Sequence, residues 1–323
     1  MTEIKDKVDM PFGHSPEIRN PKSAIPNRAM LIGILSVRDK SYHPNQRLIE
    51  AASGSGHRVS LIHTRDCFSE INLGRPGLKI DGSGTPDVLL PRIGATINDY
   101  ALTVVRHFEM SGIPVVNNFQ SILLARNKFL TLQTLVYNGV TVPDTSLVVN
   151  LKGFENAVSR LGGYPVVAKM PSSRQGSGVV LVDSAATAEF VMENLQDNSR
   201  GILVQEYVAP EGRRDVRAFV LGDRVIGAME LRPNSGDFRS NIHLTGQGKA
   251  VALSRELSEL AVRSGKALGL EISGTDMVVS EDGAAKVVEV NYSPGFRGLE
   301  KATGLDIASR IVRHVVDKFG ERA

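Results

Sequence analysis

Four short stretches of the chain combine residue types that could do chemistry together. The first runs from Lys169 to Gly178, where Ser172, Ser173, Arg174, Gln175, Gly176 and Ser177 lie between two β-rich runs. Small residues there let backbone N–H groups approach phosphate oxygens, and a lysine ending the first run can reach the same oxygens. It is not a Walker A loop, because no Gly-Lys-Ser/Thr triplet is present and no helix opens after it. An ordinary hairpin turn would share this composition. The second stretch is Gln205, Glu206, Tyr207 and Val208, where a β-run meets a loop whose backbone groups could read an adenine edge. A charged edge strand is the plain alternative. The third is Asp276 with Glu289 and Asn291. Residues 289 and 291 alternate onto one face of a strand, and Asp276 can sit opposite them on the preceding strand. Two carboxylates and an amide oxygen form a hard donor set suited to Mg²⁺, and packing two carboxylates side by side without a cation is costly. The fourth is Asp237 to Asn241, in which Arg239 and Asn241 stand two apart. An arginine fork and an amide near a triphosphate would stabilise charge developing on the γ-phosphoryl group.

These residues need a scaffold, and the composition says what kind. The 323 residues are 41% hydrophobic and 23% charged, which suits two or three globular domains and excludes disorder. No apolar run approaches the roughly 20 residues of a membrane span. A net charge of +3 from 38 basic and 35 acidic residues is too balanced for a nucleic-acid coat, and 5% aromatic content without Trp offers no stacking platform. Anion binding must therefore be local. The single Cys67 cannot make an intrachain disulfide, so a cytoplasmic setting is expected. The seven histidines show no metal-ligand spacing.

Along the chain, residues 1–29 carry four prolines among charges and read as a polar arm. From Met30 the pattern alternates between strand and helix. Met30 to Leu35, His57 to Ile62, Val88 to Leu90 and Ile113 to Val116 read as strands, with helices from Pro44 and over 96–110. The stretch 74–86 reads as turns. This rhythm implies a parallel sheet with helices on its faces over 30–118. It is Rossmann-like without a phosphate loop, since Ser36, Val37, Arg38 and Asp39 follow the first strand in place of glycines. A single long helix is expected through Ser121, Lys128 and Leu135. Beyond it, hairpin strands covered by helices indicate α+β lobes: strands at 145–149, 164–170, 179–182, 202–205, 216–221, 225–231, 271–279 and 286–290, and helices at 154–161, 185–195, 255–268 and 306–318.

Taken together, the ordered landmarks resemble the ATP-grasp superfamily, and within it the RimK family of ATP-dependent α-L-glutamate ligases. They include Pro91-Arg-Ile-Gly-Ala95, Ala125-Arg-Asn-Lys128, Val166-Val-Ala-Lys169, Gln175-Gly-Ser-Gly-Val179, Ile202 to Val208, Asp215-Val-Arg217, Gly236 to Asn241, Gly274-Thr-Asp276 and Glu289 to Gly295. The resemblance implies an α/β and α+β architecture, an ATP-grasp fold preceded by a pre-ATP-grasp domain. Its divisions would be an arm at 1–29, a pre-ATP-grasp domain at 30–118, a central lobe at 119–205 and a C-terminal lobe at 206–323. It implies that Lys128 and Lys169 contact nucleotide phosphates, that Gln205, Glu206, Tyr207 and Val208 read adenine, and that Asp215 is the ribose-side acid. The loop of Ser172, Ser173, Gln175, Gly176, Ser177 and Gly178 would be the flap over the phosphates. Arg239, Ser240 and Asn241 would line the phosphate and acyl-transfer end, with Arg239 and Asn241 catalytic. Asp276, Glu289 and Asn291 would hold two magnesium ions, with manganese as a substitute.

The implied reaction joins L-glutamate to a carboxylate acceptor through an acyl phosphate, at the expense of ATP. A small-molecule, coenzyme or peptide acceptor is expected. The alternative is the C-terminus of a small-subunit ribosomal protein, whose ligases carry an acidic residue and a glycine where this chain has Ser172 and Ser173, and a leucine and an acid where it has Phe296 and Arg297. Arg297 could grip a substrate carboxylate or be an exposed loop charge; Arg92 and Arg217 are the other substrate-side candidates. A synapsin-like protein that binds ATP without ligating and a D-alanine-type ligase are the rival readings. Relatives of this kind assemble as dimers or tetramers, so a homo-oligomer is expected, with neither membrane nor nucleic acid as partner.

Overall fold

The computed structural model describes residues 28–72, 74–80, 84–94, 97–171, 178–195, 200–231 and 248–320, with the backbone alone at 75 and 76. All of the expected arm before residue 28, the flap residues Ser172, Ser173, Gln175, Gly176 and Ser177, and Arg239, Ser240 and Asn241 lie outside the described residues.

The N-terminal part is built on three parallel strands in the order β2-β1-β5: β1 (Leu31–Ser36), β2 (Arg58–His63) and β5 (Val88–Pro91). Helices α1 (His43–Gly54) and α2 (Asp99–Met110) flank it. Proline in the first turn of α1 leaves no donor wasted, since those N–H groups have no intrahelical partner. Ile32 and Ile34 on β1 point to one side and Leu35 to the other, into separate buried clusters. Two expectations need correction. The stretch read as turns begins with a strand, β4 (Arg75–Ile80), which forms an antiparallel hairpin with β3 (Cys67–Asn72) just before it; Pro76 and Gly77 mask the alternation of β4. The strand expected at Ile113 to Val116 contributes only a single parallel bridge, Leu89 to Val115.

The long helix expected through Lys128 is also two helices, α3 (Phe119–Ala125) and α4 (Lys128–Tyr137). The break has a local cause. The side chain of Asn127 accepts hydrogen bonds from the backbone N–H groups of Phe129 and Leu130, capping α4 where its first donors lack partners. Lys128 thereby becomes the first residue of a helix.

A four-stranded antiparallel sheet follows, in the order β6-β9-β7-β8: β6 (Thr145–Val148), β9 (Ile202–Glu206), β7 (Val166–Lys169) and β8 (Val179–Val182). Helices α5 (Leu151–Arg160) and α6 (Ala185–Asn194) cover one face, burying Val166, Ala168, Ile202 and Val204. Because side chains alternate along a strand, Lys169 and Gln205 fall on the opposite face, with Val167 and Leu203, where Gln205 is buried without help from α5 and α6.

The last sheet has five strands, β12-β11-β10-β13-β14: β10 (Arg214–Leu221), β11 (Arg224–Leu231), β12 (Gly248–Ala250), β13 (Ile272–Val279) and β14 (Ala285–Asn291). Helices α4 and α7 (Arg255–Ala267) cover Val216, Ala218, Val220, Met277 and Val279 on one face. The other face packs Phe219 and Leu221 against the N-terminal domain, α8 (Arg297–Thr303) and α9 (Ile307–Phe319). Further along that same face β10 carries Asp215 and Arg217, and β13 carries Asp276 opposite Arg217.

Candidate active site

The metal-binding candidates are set by strand register. Asp276 on β13 is paired with Glu289 on β14, and Gly274 with Asn291. Directly opposed residues share a face, so all three side chains emerge together. A bulge places Met277 opposite Val287, leaving Val288 as the extra residue. Without that slip Glu289 and Val287 could not both keep their positions, one at the site and the other fully buried. Gly274 is required here as well: a Cβ would lie 2.8 Å from that of Pro294, where the chain folds back after Asn291.

Asp276 does not stand alone. Arg217, opposite it on β10, donates from Nε to Oδ1 and from Nη2 to Oδ2, each at 2.6 Å. The Asn291 amide adds a 3.3 Å hydrogen bond to Oδ2. Burial raises the Asp276 carboxyl above the ordinary carboxylate range, a tendency that Arg217 opposes. Burial also acts against the charge on Arg217, but attraction to Asp276 and its hydrogen bonds prevail and raise its pKa. Lys128 brings its Nζ to 3.9 Å from Glu289 Oε1. Its helix is anchored beside the phosphate-loop strand by a backbone bond from Lys128 N to Pro171 O.

Across from this sheet, Lys169 donates to Gln205 Oε1 at 2.5 Å, and Gln205 donates to Thr145 Oγ1 at 2.8 Å. Burial lowers the Lys169 pKa to about 8; attraction to Glu289 works the other way, and repulsion from Lys128 and Arg213 reinforces the drop. The two sheets approach each other here, since Lys128, whose Nζ reaches Glu289 on β14, donates its backbone N–H to Pro171 just past β7, and Lys286 on β14 donates to Glu206 at the end of β9. Gly178, immediately before β8, sits at φ +80°, a conformation other L residues rarely adopt, and a Cβ there would meet Met170 Sδ at 2.7 Å.

The hinge Glu206 to Val208 is held from both sides. Lys286 on β14 donates to Glu206, Arg213 donates to the Val208 carbonyl, and Arg213 also pairs with Asp215 at 3.1 Å. Asp215 is buried, on the same face of β10 as Arg217. Lys286 was not singled out from the sequence, because its approach to Glu206 from β14 depends on tertiary pairing, whereas Arg213 lies only five positions from Val208.

The substrate-side candidates separate. Arg217 is engaged by Asp276. Arg92, 7% exposed at the end of β5, donates from Nη2 to the Pro294 carbonyl at 2.6 Å and lies over the Phe296 ring. Burial lowers its pKa to about 10. Arg297 is exposed at the start of α8.

The donor chemistry fits a divalent cation. Asp276 and Glu289 supply paired oxygens and Asn291 an amide, while no cluster of three or more His, Cys, Asp or Glu able to hold a metal occurs among the described residues. So small a set leaves positions for phosphate oxygens and waters, as Mg²⁺ prefers. Lys128 and Lys169, the lysines expected to meet phosphate, are thus carried close to Asp276, Glu289 and Asn291, the expected cation donors.

Comparison with known proteins agrees. The RimK pre-ATP-grasp domain matches residues 30–122 and the RimK-like ATP-grasp domain residues 125–315. A probable alpha-L-glutamate ligase of Saccharophagus degradans is 38% identical over 288 residues, covering 88% of this chain and 95% of its own. One from Pseudoalteromonas translucida is 40% identical over 285 residues, covering 88% and 94%. Among solved structures, a RimK domain ATP-grasp protein from Sphaerobacter thermophilus superposes with a TM-score of 0.70 at 25% identity, over 88% of this chain and 98% of its own. The ATP-grasp ligase PsnB, in complex with a minimal precursor, Mg and ADP, shares the fold at a TM-score of 0.68 and 19% identity, over 90% and 98%. The chain belongs to the RimK family and is an ATP-grasp ligase.

Proposed function

We propose that the protein adds L-glutamate to the carboxylate of a small-molecule, coenzyme or peptide acceptor. The observation that carries this reading is the convergence of Lys128 and Lys169 with Asp276 and Glu289 in a cleft between two sheets. An acceptor carboxylate oxygen attacks the γ-phosphorus of ATP, the bond to the β-phosphate bridging oxygen breaks, and ADP leaves. The α-amine of glutamate then attacks the acyl carbon, loses a proton and expels phosphate.

In this scheme Lys128 and Lys169 hold the phosphates, Gln205 orients Lys169, and Glu206, Tyr207 and Val208 read adenine with Asp215 on the ribose side. Asp276, Glu289 and Asn291 would hold magnesium, which when bound neutralises phosphoryl oxygens. The resemblance assigns Arg239 and Asn241 to the transferring group, and Ser172, Ser173, Gln175, Gly176, Ser177 and Gly178 to the flap that keeps water away. Arg297, exposed beside the loop that Arg92 secures, is the group we assign to an acceptor carboxylate.

The test is ADP release with Mg²⁺ and glutamate across a panel of carboxylate acceptors, with product masses recorded. A gain of one or more glutamyl units supports the reading. Turnover sustained only by another amino acid rejects the glutamate assignment, and nucleotide binding without turnover under any combination rejects ligation by this site.

A further inference from the structure

The two carboxylates at the proposed metal site are already neutralised by the protein's own cations. Arg217 fills one lone-pair direction on each oxygen of Asp276, both at 2.6 Å, and Asn291 takes a second direction on Oδ2 at 3.3 Å. A carboxylate offers about four such directions, so three are occupied. Lys128 stands 3.9 Å from Glu289. The fork is held in place by β10, paired with β13 at Arg217 and Asp276, within a central strand buried on both faces. It cannot swing away as a surface arginine would.

We infer that Arg217 makes metal binding depend on nucleotide: it occupies and repels the site when the cleft is empty, so that the divalent cation is held firmly only together with a polyphosphate. This rests on Asp276, Glu289 and Asn291 being the metal ligands. The physical reason is charge balance. A dication entering beside a guanidinium meets a like charge at close range in a partly desolvated cleft, where Coulomb terms are several times stronger than in water. A triphosphate brings negative charge enough to offset both Arg217 and Lys128. The arrangement would also order substrate binding, with the metal arriving on the nucleotide. The opposite role is well defined. If Arg217 merely oriented Asp276 for the metal, its removal would weaken binding by about 10- to 100-fold, as loss of an orienting partner does.

The experiment measures Mn²⁺ bound to the full chain by equilibrium dialysis, in which the excess total manganese on the protein side counts protein-held ion alone, with and without a non-hydrolysable ATP analogue present on both sides. Wild type should bind Mn²⁺ weakly alone and at least about tenfold more tightly with the analogue, and Arg217→Met should bind Mn²⁺ alone about tenfold or more tighter than wild type. Arg217→Met binding equally or more weakly overturns the inference, as does wild type binding equally well with and without nucleotide. The second outcome stands even where the variant fails to fold. Asp276→Asn and Glu289→Gln separate the two levels of the argument: if neither alters Mn²⁺ binding in the presence of nucleotide, the metal-site assignment itself fails.

Discussion

At the residue scale, the cleft concentrates opposite charges that the sequence spaces far apart. Glu289 faces Lys128 and, by register, Asp276. Replacing it with Gln keeps the volume and removes the charge. Turnover should fall by about a hundredfold or more, while binding of ADP measured by calorimetry without metal stays within a few-fold of wild type. Lys169 gives a prediction with a sign. Its pKa is lowered to about 8 by burial, and phosphate binding favours the charged form. Between about pH 8 and the higher pKa of the complex, binding must therefore take up protons, and affinity should fall with rising pH by up to about tenfold per unit. Calorimetry of a non-hydrolysable nucleotide in buffers of different ionisation enthalpy measures this uptake. Lys169→Met should abolish it.

At the element scale, the break between α3 and α4 does more than end a helix. By capping α4, Asn127 fixes Lys128 at the helix start and against Pro171. Asn127→Ala should cost about 1 kcal/mol of stability, read from urea unfolding. It should also weaken nucleotide binding several-fold, because Lys128 loses its fixed origin; an unchanged nucleotide Kd would separate the cap from the site. The residue type was visible in the sequence, yet the apolar spacing through Leu124, Leu132 and Leu135 continued across it and suggested one helix. The hairpin of β3 and β4 was missed for the opposite reason. Pro76 and Gly77 in β4 are turn residues by composition, and pairing with β3 decided the matter.

At the scale of the whole molecule, one side chain joins the N-terminal domain to the last sheet. Asn117, 3% exposed, donates to the carbonyls of Ile272 and Tyr292 and accepts from the backbone N–H groups of Glu271 and Ile272. Tyr292 in turn donates to the Gly94 carbonyl, so the segment following Asn291 is held by the N-terminal domain. Asn117→Ala strands four backbone groups, two in buried and two in partly buried hydrogen bonds, and should cost roughly 3–5 kcal/mol in urea unfolding. Further along the same sheet, Glu271 bonds His314 and Lys318 of α9, each at 2.5 Å. The His314 hydrogen bond, opposed by burial and assisted by Lys318, lowers its pKa to about 2. A depressed carboxylate stabilises the folded state above its unfolded pKa of about 4.5 and loses that contribution as pH falls towards 2. The difference in Tm between wild type and Glu271→Gln should therefore be constant near neutrality and shrink below about pH 4.5.

The family and the class of enzyme were legible in the sequence alone, because the ordered landmarks from Ala125-Arg-Asn-Lys128 to Glu289-Val-Asn291 carry their meaning in residue type and local spacing. Strand periodicity likewise placed Glu289 and Asn291 on one face. What only the tertiary structure decided was which charge meets which. Arg217 and Asp276 are 59 positions apart, Lys286 and Glu206 are 80 apart, and Arg92 reaches Pro294 across 202. Such pairs depend on sheet register and domain packing, in which a shift of one residue turns every side chain to the other face. Local pattern cannot specify that, and the burial that shifts Lys169 and Asp276 exists only once the sheets have closed around them.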